Sequence, residues 1–183
     1  MKGKFINYII LYTGEQLRSG FGRRFGLSGD SIVAFIGGAR VVEHMVDKED
    51  IAKRDYIYAD KMLHFIVEHM DKDLEKAVIR QRLLISLIGQ SINKGSKTLK
   101  VLRHGDDLFC RDRKLSVSIA TRSPKSTLIH VGLNITQKGT PVRTIGLRDL
   151  RVDPKKLAKA VMREYINEVY DMKHAAGKVK RVR

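Results

Sequence analysis

Periodicity divides the chain into readable stretches. Phe5 to Tyr12, rich in Ile and Tyr, predicts a first strand. Thr13 to Gly29 is a glycine-containing stretch with Arg18, Arg23 and Arg24, and predicts a surface loop. The apolar run Ser31 to Ile36, closed by Gly37-Gly38, predicts a buried strand, with Val41 to Val46 as a second extended segment. From about Lys53 to Met70 the pattern turns helical: Tyr58, Met62, Phe65, Ile66 and Met70 share one face. Asp71 to Asp73 breaks that helix and offers an N-cap for another, Leu74 to about Ile92, ended by Asn93-Lys94-Gly95. Residues 98–136 predict a β-meander, with strands near 98–103, 107–110, 114–122 and 127–136. Its turns are His104-Gly105-Asp106, Arg111-Asp112-Arg113 and Ser123 to Ser126. Asp153-Pro154 opens the last helix, an N-cap followed by proline, and Gly177 stops it.

Two strands of the meander carry the most chemical information. Strand 114–122 has Leu115, Val117 and Ile119 on one face, and Lys114, Ser116, Ser118 and Ala120 on the other. Strand 127–136 alternates Ile129, Val131 and Leu133 with Leu128, His130, Gly132 and Asn134. Both apolar faces must share one side of the sheet. Paired residue numbers then add to an even value, so that Lys114 faces Asn134 and Ser118 faces His130. Small polar residues around a lysine suit a shallow anion site. A face covered by a helix also favours small residues, and periodicity alone does not choose between the two.

Composition narrows the class. The 183 residues fit one domain, 1–177, with a basic tail at 178–183. No apolar run reaches the length of a membrane span, and no small-residue cleavage site follows the N-terminal apolar stretch, so a soluble cytoplasmic protein is expected. Cys110 is the one cysteine and reads as a packed thiol. The net charge of +16 suits a polyanionic partner such as RNA or tRNA, a nucleotide or an acidic protein, and equally a solvated surface adapted to high temperature. His64 and His69 stand five apart on the predicted helix, off a common face, which argues against a zinc pair.

The order Gly105-Asp106-Asp107-Leu108, then Asp112-Arg113-Lys114-Leu115-Ser116-Val117-Ser118, then Ile129-His130-Val131-Gly132-Leu133-Asn134 resembles the biotin and lipoate protein ligases. The preceding Leu87-Ile88-Gly89 and the following Asp153-Pro154-Lys155-Lys156-Leu157 fit the same families, so the resemblance spans about Leu74 to Leu157. The whole chain is also similar to a small archaeal family of uncharacterised proteins with this fold, which is shared with class II aminoacyl-tRNA synthetase catalytic domains. The resemblance implies an α+β fold with a mixed, mainly antiparallel sheet flanked by helices. It implies ATP and Mg²⁺ as cofactors, with Lys114 contacting the activated acyl group and phosphate and Asp106 and Asp107 holding the metal. Ser116, Ser118, His130, Gly132 and Asn134 would line the pocket. Arg40 would meet a phosphate or carboxylate, and Glu43 a metal or substrate amine.

Three positions depart from the ligase pattern. The basic Gly-rich acyl-binding loop is replaced, at best, by Gly37-Gly38-Ala39-Arg40; Asn-Asp has become Asp106-Asp107; and Val117 stands where the ligases have glycine. The functional expectation is an ATP-dependent acyl- or aminoacyl-adenylating ligase, or an acyltransferase, acting on a small carboxylic acid with an acceptor protein. The alternative is a non-catalytic relative that binds RNA through its basic surface. A homodimer is expected in either case.

Overall fold

The structure, a computed structural model, describes residues 1–42, 44, 46, 48–53, 57–95, 99–138 and 143–182. Eight strands and three α-helices follow in the order β1 (Lys2–Phe5), β2 (Ser31–Val41), α1 (Lys48–Lys53), β3 (Ile57–His69), α2 (Leu74–Gly95), β4 (Leu102–His104), β5 (Asp107–Cys110), β6 (Arg113–Lys114), β7 (Ser116–Arg122), β8 (Thr127–Asn134) and α3 (Pro154–Gly177). A five-stranded sheet runs β1-β2-β3-β8-β7, and β4-β5-β6 form a smaller one. Only the β1–β2 pair is parallel; the other named pairs are antiparallel. The fold is therefore α+β, with a mixed, mainly antiparallel sheet, as expected.

Both long helices cover one face. Asp73 accepts from the Lys76 N–H and Asp153 from the Lys156 N–H, the two N-caps expected from sequence. From α2, Leu84, Ile85 and Ile88, and from α3, Ala158, Val161 and Tyr165, meet Ile32, Leu63, Phe65, Val67, Ile129 and Val131 in one aliphatic core. At one end of this layer His69 Nε2 lies 2.9 Å from the Tyr165 hydroxyl, and the Lys173 ammonium pairs with Asp30 at 2.8 Å, fastening α3 to the sheet.

The opposite face is covered by the irregular segment Ile6 to Gly29. Its N–H groups at Ile6, Ile10 and Tyr12 bond to the carbonyls of Ala34, Ile36 and Gly38 along β2. The first regular strand is thus Lys2–Phe5, earlier than expected, and Tyr12 rejoins the sheet through a single bridge to Ala39. A 3-10 turn at Phe21–Phe25 puts Phe21 against Phe35. Buried Glu68 accepts from Ser19 Oγ, Ser126 Oγ and the Gly20 N–H, which ties the covering loop to the sheet.

Two expectations are corrected. The helix expected over Lys53 to Met70 is the central strand β3, hydrogen-bonded to β2 and β8 and buried on both faces. A strand buried on both sides has a near-continuous apolar run, here Met62 to Val67 broken by His64 alone, and such a run satisfies helical spacing as well as a strand. The expected hairpin register is off by one. Observed pairs such as Val117 with Gly132 and Ser118 with Val131 add to odd values. Leu115 lies between β6 and β7 outside any ladder, and this interruption resets the alternation.

Candidate functional site

The register divides the expected pocket residues between two faces. Ser116 pairs with Leu133 and Ser118 with Val131, so both serines lie on the helix-covered side. His130 pairs with Ile119 and Gly132 with Val117, on the loop-covered side, and Asn134 shares that side through its partner Met62. Lys114 therefore does not face Asn134, nor Ser118 face His130.

Lys114 stands on β6 at the rim where the small sheet joins the large one. Its Nζ is 2.6 Å from Asp107 Oδ2, with the lysine side chain 32% exposed and the aspartate 16%. Ser116 Oγ donates to Asp107 Oδ1 at 3.1 Å and accepts from the Leu108 N–H. Burial pushes the Asp107 carboxyl above its ordinary range, opposed by the Lys114 ammonium. Asp107 is thus a mostly buried counter-charge that orients one cation, whose outer side meets solvent.

Asp106 turns the other way. Its carboxylate lies 3.7 Å from the Arg82 guanidinium and accepts from Gln81 Nε2, while its carbonyl accepts from Ser118 Oγ. Gln81 also donates to Ser118 Oγ at 2.6 Å, so α2 holds the Asp106 turn in place. Two carboxylates aimed at different cations do not chelate one ion. Among the described residues no group of three metal-binding side chains forms, and the arrangement does not fit a protein-built Mg²⁺ cage.

On the loop-covered face His130 joins a stack that the sequence did not reveal. His64 Nδ1 is 3.1 Å from His130 Nε2, and the Tyr12 ring lies 3.9 Å from His130, nearly parallel. Phe35 also stacks on His64, with ring centroids 5.0 Å apart. Burial pushes His64 down to about 4, opposed by the Gly37 and Gly38 backbone, although its Nε2 meets no hydrogen-bond partner. Burial, then the neighbouring His64, pushes His130 well below the usual range. Both rings are therefore neutral at pH 7, one donating to the other. Beside them, a Cβ on Gly132 would fall 2.9 Å from Met62 Cε and 3.3 Å from Val117 Cγ2, so this part of the face is filled.

Arg40 is exposed on β2, opposite Tyr58, and β3 and β8 separate it from the Lys114 rim. Glu43 lies outside the described residues. The residues that sequence reasoning missed are Gln81, Arg82, His64 and Tyr12. A histidine and a tyrosine inside apolar segments were the available signal for the last two; the first two sit on a helix whose register against the Asp106 turn no local pattern encodes.

Comparison with known proteins places this geometry. The chain is 36% identical over 174 residues to an uncharacterised protein, MJ0805, of Methanocaldococcus jannaschii, covering 90% of this chain and 78% of that protein. A solved protein of unknown function from Pyrococcus horikoshi superposes with a TM-score of 0.92 at 37% identity, covering 99% of this chain and all of the other. Biotin protein ligase from Aquifex aeolicus in complex with biotin and ATP has a TM-score of 0.60 at 13% identity, covering 92% of this chain and 73% of that one. A putative lipoate protein ligase from T. acidophilum with bound lipoic acid has a TM-score of 0.59 at 14% identity, covering 93% and 87%. At these identities the two ligases show a shared fold. The model of a domain of unknown function, DUF366, matches residues 1–180, and the chain belongs to that family.

Proposed function

We propose that this protein activates a small carboxylic acid, as an ATP-dependent acyl- or aminoacyl-adenylating ligase or a related acyltransferase, with Lys114 at the reacting centre. The observation that carries this reading is the Lys114–Asp107 pair: a half-buried cation on the rim of a ligase-like fold, held by a mostly buried carboxylate and open on one side. In such a reaction the acid's carboxylate oxygen attacks the α-phosphorus of ATP. The bond to pyrophosphate breaks, giving acyl-adenylate. An acceptor amine or thiol then attacks the carbonyl carbon, and AMP leaves. Lys114 offsets the negative charge that gathers on carboxylate and phosphate, in a place where protein has displaced part of the water. Asp107, itself held by Ser116, positions Lys114. Mg²⁺, when bound, neutralises phosphate charge; with no chelating pair in the described chain, it would arrive with the nucleotide.

Nucleotide binding tests the reading. Thermal shift with ATP and Mg²⁺ is expected to raise the melting temperature of the wild type, and less so that of Lys114→Ala. An equal shift in both proteins would remove Lys114 from the site.

A second reading has its own observation. Lys2, Lys4, Arg23, Arg24, Lys155 and Lys159 are all exposed around the β1 edge. Lys4 Nζ reaches the Phe25 carbonyl, and the Lys155 ammonium lies over the Phe5 ring. These contacts draw the 3-10 turn, β1 and α3 into one basic strip that suits a nucleic-acid backbone. This reading expects tRNA binding that weakens steeply with salt and ignores Lys114→Ala.

A further inference from the structure

Large exposed apolar side chains are unevenly spread. Leu102 stands on β4, Tyr170 and Met172 on α3, and Leu74, Val78 and Ile79 in the first turns of α2, in ones to threes on separate elements. Tyr8, Ile9, Leu11, Val42 and Tyr58 instead gather at one corner of the large sheet, with Ile9 77% and Val42 63% exposed. The backbone connects them. Tyr12 bridges Ala39, Leu11 Cδ1 lies 3.5 Å from where a Gly38 Cβ would stand, and Arg40 pairs with Tyr58 across β2 and β3. Val42 follows directly on the last residue of β2.

Segment Ile6 to Tyr12 runs along the outer side of β2, so this corner also forms the sheet's margin. Neither long helix covers it. Scaled by their exposures, the five side chains present roughly 600 Å² of mainly apolar surface, at the upper limit for the largest patch on a monomer. That is most of the roughly 800 Å² that each partner buries in a standard interface.

We propose that a second copy of this chain covers the corner, in a two-fold contact centred on Ile9 and Leu11. A twofold puts the same patch on both sides, so the surface must be complementary to itself. An apolar centre meets that condition. So does its rim, where exposed Arg40, which makes no ion pair among the described residues, and Asp60, 4.0 Å from the exposed Lys138, offer opposite charges. The twofold brings Arg40 of each copy toward Asp60 of the other. The remaining surface, with the chain's net charge of +16, repels another copy, so the corner is where self-association is favoured. Arg40 then belongs to an interface rather than to a substrate pocket.

The test is the mass of the full chain in solution, by light scattering on a sizing column at about 50 μM. The wild type is expected at twice 20.8 kDa. Ile9→Arg with Leu11→Arg is expected at the monomer mass, with dimer affinity weakened at least about tenfold and the melting transition still cooperative. Tyr170→Arg, equally exposed but elsewhere, is expected to stay dimeric. Arg40→Asp should weaken the dimer, and Arg40→Asp with Asp60→Arg should restore it. A monomeric wild type would give the corner to another occupant and overturn the proposal. So would a dimer indifferent to the Ile9 and Leu11 changes.

Discussion

The two faces of the large sheet are closed by different physics. On one, α2 and α3 lay aliphatic stripes over alternating strand residues, and the contact is side chain on side chain. On the other, an irregular segment closes the sheet with backbone on glycine, ring on ring, and a buried carboxylate. The first face can respond to a change by repacking side chains. The second cannot, because its closest contacts involve backbone atoms and groups with few allowed partners.

A pair of glycines gives the largest contrast. A Cβ on Gly37 would fall on the Ile10 carbonyl, a backbone atom that cannot swing away. Gly37→Ala is expected to cost more than about 4 kcal/mol, or to detach segment Ile6 to Tyr12 altogether. Gly89, on α2, would meet only Leu108 Cδ2 at 3.2 Å, the mobile end of a side chain. Gly89→Ala is expected to be neutral, or to stabilise by up to about 1 kcal/mol through helix propensity. Chemical denaturation of both variants decides the matter; equal losses would erase the distinction between the faces. Phe65→Ala, on the helix-covered face, should cost about 3–5 kcal/mol as a cavity while leaving the fold intact.

Acid should act mainly through the loop-covered face. The folded protein holds His64 near 4, and burial pushes His130 well below its ordinary range, whereas the unfolded chain titrates at about 6.5. Above pH 6.5 neither state is protonated and nothing is lost. Between pH 6.5 and 4 only the unfolded chain binds the protons, so stability falls with pH, by about 3 kcal/mol over that range for His64 alone. His69, lowered by burial, adds to the same window. Asp107, raised by burial, works against it. Denaturation at pH 7 and pH 4.5 should show the slope in the wild type and most of it gone in the His64→Phe, His130→Phe double variant. His130→Phe alone strands a buried ring nitrogen and should cost about 1–3 kcal/mol at pH 7.

A smaller loss is expected at Glu68. Glu68→Gln keeps one acceptor oxygen for Ser19, Gly20 and Ser126 and loses the charge, a cost of about 1–2 kcal/mol. Faster amide exchange at Gly20 than in α2 would locate that loss in the covering loop.

The same contrast explains what the sequence revealed. Helices α2 and α3 were legible to their caps, because Asp73, Asp153, Pro154 and the apolar stripes are local signals. The order of elements around Lys114 was legible through a family resemblance, and the ligase-like fold followed from it. Strand β3 was not legible: its Met62–Val67 run is apolar but for His64 because both sides are buried, a property of the partners and not of the segment. Calling it a helix also hid His64, whose partner His130 is 66 residues away in sequence. The pocket face was misassigned because Leu115 interrupts the ladder between β6 and β7, and one extra residue exchanges the faces of everything after it. Ser116 and Ser118 thereby turned to the helix side, where Gln81 and Asp107 hold them.

The central claim is that Lys114 serves a carboxylate-activating reaction. The most direct measurement is pyrophosphate exchange into ATP in the presence of a panel of small carboxylic acids, with wild type, Lys114→Ala and Lys114→Arg. Exchange that depends on one class of acid, falls by about a hundredfold or more in Lys114→Ala and is partly restored in Lys114→Arg is the predicted result. Acid-dependent exchange at wild-type rates in Lys114→Ala would contradict the role of this residue, and absence of exchange with every acid in the wild type would contradict the adenylating reaction itself.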